Sequence, residues 1–333
     1  MARSDLLSDL VSHGMSGDRA RFIKTVEALI AEERGKKHLV LADRLSELLS
    51  TPPRANENGR VANTYTFEQR ANDLYQEVIP SRTLQDLLLP PDVHTVINEV
   101  VAEHHRVDLL RSYSLEPRNR LLFIGSPGNG KTSLAEALAE SLMVPLLRVR
   151  YDGIVGAYLG ETAVRLRRLL DAARTRKCVL FFDEFETLAK ERGDTHETGE
   201  IKRVVSSLLL QIDDLPSHVI VVGATNHPEL LDRAVWRRFQ VRVELPMPTR
   251  SRLADWFARF EKRLKQPLGY SPDTLAKKLF GANFAEAEEF ATSVMRQYVL
   301  GLPDSNVRQI VDSALKNWQA RTVGIQLKTG ENE

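Results

Sequence analysis

The sequence predicts an α/β chain: a parallel sheet with helices on both faces, followed by an α-helical lid and preceded by a small α-helical N-terminal domain. Three observations predict it. Short apolar runs alternate with helix-period patterns over residues 80–248, as in a parallel sheet buried on both sides. A glycine-rich octapeptide joins one of these runs to the helix that follows. After Pro246 the pattern is helical to the end.

The elements follow in chain order. Within residues 1–50, Phe22, Ile23, Val26, Leu29 and Ile30 recur at helical spacing, and Leu39, Val40, Leu41, Leu45, Leu48 and Leu49 form a second set. Together they predict a helical hairpin or small bundle. Residues 51–79 read as a linker, because Thr51 to Thr64 carries two prolines, a glycine and three asparagines with little apolar content. In the α/β domain, residues 80–248, strands are expected at Leu121–Ile124, Leu146–Val149, Val179–Phe182, Val219–Val222 and Val241–Leu245. Helices are expected between them at Val93–Leu110, Thr132–Leu142, Thr162–Ala173 and Ile201–Ile212. The lid, residues 249–333, is read as Arg250–Leu264, Ser271–Leu279, Phe284–Leu300 and Asn306–Ala320, with Lys328 to Glu333 as a frayed tail.

Composition narrows the function. The 46 Lys and Arg nearly balance the 45 Asp and Glu, so total charge demands no polyanionic partner. The one cysteine, Cys178, excludes a disulfide within the chain and fits a reducing compartment. It opens an apolar run, which predicts a buried, inert thiol. No apolar stretch reads as long enough to span a membrane, and no signal peptide is expected. The expected location is therefore cytoplasmic, with no membrane partner.

The octapeptide is Gly125-Ser126-Pro127-Gly128-Asn129-Gly130-Lys131-Thr132. Its glycines let backbone N–H groups turn inward around a triphosphate, Lys131 reaches the β- and γ-phosphates, and the Thr132 hydroxyl is a ligand for Mg²⁺. Ser133 opens the helix whose positive end points at the same phosphates. The run Val179 to Phe182 ends in Asp183-Glu184. Functional residues of a parallel sheet emerge at strand C-termini. Asp183 is thus expected to hold Mg²⁺ through water, and Glu184 to polarise the water that attacks ATP. The next run leads into Gly223-Ala224-Thr225-Asn226, where Asn226 can bond the γ-phosphate or the water. In Leu231 to Phe239, Arg237 and Arg238 are candidates to stabilise the charge of phosphoryl transfer.

Taken together, these residues resemble an AAA+ ATPase of the AAA, protein-remodelling, subfamily, a P-loop NTPase. The octapeptide matches Walker A, Asp183-Glu184 matches Walker B, Gly223–Asn226 the sensor-1 strand end, and Leu231–Phe239 the region that carries arginine fingers. The resemblance spans residues 80–300. It implies a homo-oligomeric ring, usually a hexamer, with ATP bound between neighbours and with Arg237 and Arg238 acting on the adjacent subunit's nucleotide. The Pro-Gly that usually separates the paired arginines is missing. Either arginine can then be the finger, and Arg238, beside Phe239, is the first choice. The segment Gly281 to Glu286 resembles the lid motif but carries no arginine, so no lid arginine is assigned to the nucleotide.

Between the two Walker motifs, Tyr158-Leu159-Gly160 is similar to the aromatic–hydrophobic–glycine loop that lines the central pore of remodelling enzymes. An aromatic ring grips a polypeptide by packing, with little sequence preference. Lys190 to Glu200 can be a second pore loop or a plain exposed one. The basic stretch Arg165, Arg167, Arg168, Arg174, Arg176 and Lys177 lacks aromatic interleaving, which ranks a nucleic-acid partner below a protein substrate. The whole chain is also similar to bacterial AAA ATPases encoded beside subtilisin-type serine proteases. That similarity implies a serine protease as a partner enzyme for an ATP-gated scaffold.

Overall fold

The central strands are apolar on both sides, and the fold buries both sides. The computed structural model describes residues 24–30, 73–154, 159–189 and 198–329. The chain divides into two units, residues 1–64 and 65–333. In the first, residues 24–30 are helical, with Val26 and Ile30 buried. The rest of the expected N-terminal helical domain, and the linker up to residue 72, lie outside the described residues.

In the second unit the described residues form one six-stranded sheet: β1 (Tyr75–Val78), β2 (Arg120–Ile124), β3 (Leu146–Val149), β4 (Cys178–Phe182), β5 (Val219–Thr225) and β6 (Val241–Glu244), in spatial order β1-β3-β4-β5-β2-β6. Strands β2 to β6 pair in parallel, and β1 runs antiparallel to β3. Every residue of β4 and β5 is buried, whereas the edge strand β6 alternates buried valines with exposed Arg242 and Glu244. Successive side chains of a strand point to opposite faces. Leu122, Leu180, Phe182 and Val221 therefore join one core, and Leu121, Phe123, Phe181 and Val222 join the other.

The first core is closed by α5 (Leu159–Arg174) and α7 (Thr198–Asp213), through Leu166, Leu169, Leu208 and Ile212. The second is closed by α1 (Pro91–His105) and α3 (Lys131–Ser141), through Ile97, Val100, Leu134 and Leu138. Four shorter helices complete this layer set: α2 (Val107–Ser112), α4 (Tyr151–Ile154), α6 (Glu186–Ala189) and α8 (Arg233–Arg238). The lid helices α9 (Arg250–Leu264), α10 (Pro272–Lys278), α11 (Phe284–Leu300) and α12 (Val307–Thr329) build a third core around Phe257, Leu275, Phe290 and Val311.

Four details differ from the sequence reading. Strand β1 lies inside the stretch read as linker; Arg176 holds it through Glu77 at 2.7 Å and stacks over Tyr75. The helix expected at Val93–Leu110 is broken at Arg106, whose backbone (φ −114°, ψ 32°) leaves the helical range. Strand β5 continues through Gly223 to Thr225, because its ladder with β2 runs to Ile124. Helix α12 carries on through Lys328 to Thr329, so the tail begins later than expected.

Candidate active site

Strand order explains why the motif residues meet. Strand β5 separates β4 from β2, so the loop after β2, Asp183 after β4 and Asn226 after β5 all emerge on one edge of the sheet. A cavity of about 840 Å³ opens there. Its floor is the loop from Pro127 to Ser133 with Asp183 and Asn226, and its other wall is the lid.

The loop keeps its shape through glycine. Gly128 (φ 78°) and Gly130 (φ 91°) occupy the left-handed region that L side chains rarely adopt. A Cβ on Gly128 would also lie 2.6 Å from the Asn283 side chain. Asn283 is the N-cap of α11, with a capping box in which it and Glu286 exchange 2.8 Å bonds, and Ala285 N–H donates to Gly128 O at 3.1 Å. The lid thus rests on the loop at one glycine. The next residue, Asn129, is buried and donates to Leu245 O at 3.4 Å.

Lys131 is buried, and its ammonium donates to Gly125 O at 2.5 Å, Ser126 O at 3.1 Å and Asn226 Oδ1 at 2.6 Å. Burial lowers its pKa, and the nearby Asp183 and Glu186 charges oppose that shift. The Thr132 hydroxyl donates to Asp183 Oδ2 at 3.2 Å, and Arg148 from β3 reaches the same oxygen at 3.1 Å. Arg82 donates to the Ser133 hydroxyl at 3.0 Å. Glu184 is exposed and has φ 47°, uncommon for a residue with a Cβ. Its turn is anchored by buried Phe185, whose N–H donates to Ala224 O at 2.8 Å and whose ring meets Phe182 and Phe239 edge-on. Tyr151 lies near these acids; burial first, then their charges, holds its phenol well above the usual range.

This set fits a Mg²⁺-nucleotide. Helix α3 starts at Lys131 with no side-chain cap and no acidic residue in its first turn, which leaves its N–H groups and dipole to an anion. Thr132 and Asp183 are oxygen donors, the kind a hard cation takes. Sequence reasoning missed the other wall, where Leu87, Trp256, Phe260 and Phe284 line the cavity together with Arg259 and Arg263. Arg259 donates to Gln85 O at 2.9 Å and Asp86 O at 3.0 Å, tying the lid to the α/β layer. A signal was present: Trp256, Arg259, Phe260 and Arg263 stand at i, i+3, i+4 and i+7 of α9, one helix face.

Arg237 and Arg238 do not line the cavity. Both end α8, which Asp232 caps by accepting from Ala234 N–H at 3.2 Å. The Arg238 Nε is 2.7 Å from Asp213 Oδ2, and Asp213 also pairs with Arg120. Arg237 is exposed and has no hydrogen bond or ion pair among the described residues. Tyr158 lies outside the described residues, as does the loop over 190–197. Leu159 and Gly160 begin α5.

The sequence matches the family described as "ATPase family associated with various cellular activities (AAA)" over residues 121–247. An uncharacterized AAA family ATPase of Sinorhizobium fredii is 35% identical over 303 residues, 90% of each chain. A putative 26S proteasome regulatory subunit homolog of Methanothermobacter marburgensis is 27% identical over 83% of this chain and 74% of its own. An AAA ATPase forming ring-shaped complexes, from Corynebacterium diphtheriae, is 30% identical over 77% of this chain and 55% of its own. The chain belongs to the AAA family, the protein-remodelling branch of the AAA+ ATPases. It binds nucleotide and hydrolyses ATP to ADP and phosphate.

Proposed function

We propose that the chain works as a homo-oligomeric ring, a hexamer, in which Mg²⁺-ATP hydrolysis drives remodelling of a polypeptide gripped by Tyr158, Leu159 and Gly160. The observation that carries the ring is the arginine pair: a guanidinium is available on α8, yet neither Arg237 nor Arg238 lines the chain's own cavity. A relative named for ring-shaped complexes supports the same reading.

The residues divide the work. Gly125 to Gly130 wrap backbone N–H groups around the triphosphate, and Lys131 with the first turn of α3, which includes Ser133, neutralises it. Thr132 and Asp183 hold Mg²⁺, which spreads phosphate charge when bound. Glu184 takes a proton from the attacking water as its oxygen bonds the γ-phosphorus and the bond to the ADP oxygen breaks. Asn226 orients that water or the γ-phosphate. The exposed Arg237 is the principal finger for the neighbour's nucleotide, because Asp213 holds Arg238 within its own subunit.

A protease as partner is the second reading, supported by the relative named as a proteasome regulatory subunit homolog. A nucleic-acid partner ranks lower, because two of the four α5 arginines are matched by acids on the same helix: Arg165 with Glu161 at 3.3 Å and Arg167 with Asp171 at 3.9 Å. No helix among the described residues is long and apolar enough to cross a membrane. A cytoplasmic location fits the lone reduced cysteine. Light scattering on Glu184→Gln tests the ring. With ATP and Mg²⁺ the mass should be six times that of a single chain, and a monomer at saturating ATP would reject the ring.

A further inference from the structure

We propose that Glu186 is a positioning residue for ATP hydrolysis, acting by holding the backbone of Asn226. The inference rests on the reading of Asn226 given above. Asn226 follows Thr225, the last residue of β5, so the sheet ladder no longer holds its backbone. Glu186 takes over: its Oε1 accepts from Asn226 N–H at 3.2 Å. The Asn226 side chain then turns into the cavity, where its Oδ1 meets Lys131 Nζ at 2.6 Å. Glu186 is therefore one step removed from the phosphate site, on a path of two hydrogen bonds.

The burial of Glu186 is the second argument. It is only 6% exposed, and its Oε2 is buried with no hydrogen-bond partner among the described residues. A carboxylate buried for a single backbone bond is poor value for the fold, and an apolar residue of similar size packs at lower cost. What an apolar residue could not supply is a fixed acceptor for Asn226 N–H.

A double-mutant cycle tests the proposal, with Glu186→Ala, Asn226→Ala and the pair measured at ring-forming concentration. Glu186→Ala should lower kcat on the order of 10–100-fold, as expected for a misplaced polar group. Its affinity for a fluorescent ADP analogue should stay within about twofold, because ADP lacks the γ-phosphate. The pair should be no slower than Asn226→Ala alone. Losses that multiply would overturn the proposal while leaving the role of Asn226 intact. Full turnover by Asn226→Ala alone would remove Asn226 from the mechanism, and the proposal with it. Glu186→Gln keeps an acceptor of the same reach and covers the case in which Glu186→Ala does not fold. It should retain most of the turnover, and a folded but inactive Glu186→Gln would also overturn the proposal.

Discussion

The nucleotide cavity and helix α8 each carry a cation, and they treat it in opposite ways. Lys131 is buried, and its ammonium is bonded to two loop carbonyls and to Asn226. Arg237 is exposed and makes no hydrogen bond or ion pair among the described residues. Its neighbour Arg238 shows that the difference is not simply one of location, since Asp213 engages it on the same helix. A buried cation must be matched within its own subunit, whereas an exposed one costs little to leave unmatched. On the proposed reading Lys131 serves the site it sits in, and Arg237, unmatched among the described residues, serves a neighbour's.

Breaking the buried side should give the largest effect. Lys131→Ala should weaken ATP binding roughly 100-fold, the scale of charged hydrogen bonds worth about 3 kcal/mol, measured by calorimetry. Arg237→Ala should leave that affinity unchanged and lower kcat by on the order of 10³-fold, as for an arginine finger. Arg238→Ala sharpens the contrast: a partly exposed pair is worth about 1 kcal/mol or less. It should therefore lower the thermal midpoint slightly and turnover far less than Arg237→Ala.

The lid offers a milder test. Asn283→Ala removes the α11 cap and the contact over Gly128, and should cost about 1 kcal/mol, read by chemical denaturation. Nucleotide affinity should fall with it, because the same residue rests on the phosphate loop. The smallest effect concerns Cys178, whose thiol burial pushes up to about 12. It should resist alkylation at pH 8 in the folded protein and react once the protein is unfolded, as mass spectrometry would record.

What the sequence made legible, and what it did not, follows the same division. The five parallel strands and the phosphate loop are local features, each written in one apolar run or one octapeptide. Strand β1 was missed because Tyr-Gln-Glu-Val puts two exposed residues between two apolar ones, at the sheet's outer edge. Glu186 is not legible in the sequence, because its partner, Asn226, is forty residues away and offers only a backbone N–H. Asp213 was missed for a similar reason: the arginines it matches come from β2 and α8. The aromatic wall of the cavity reads in sequence only as helix, since spacing along α9 gives a face but not what that face covers.

The central claim is that each subunit holds its own ATP and lends Arg237 to a neighbour. Mixing two inactive variants tests it most directly. Lys131→Ala binds ATP too weakly to fill its site at an ATP level that saturates the unchanged site, but carries Arg237, and Arg237→Ala binds ATP but lacks the finger. Turnover should reappear when they are combined and peak at intermediate ratios, because some subunits then hold ATP beside an intact Arg237. A mixture that stays as inactive as its components, while light scattering shows mixed rings, would contradict the account.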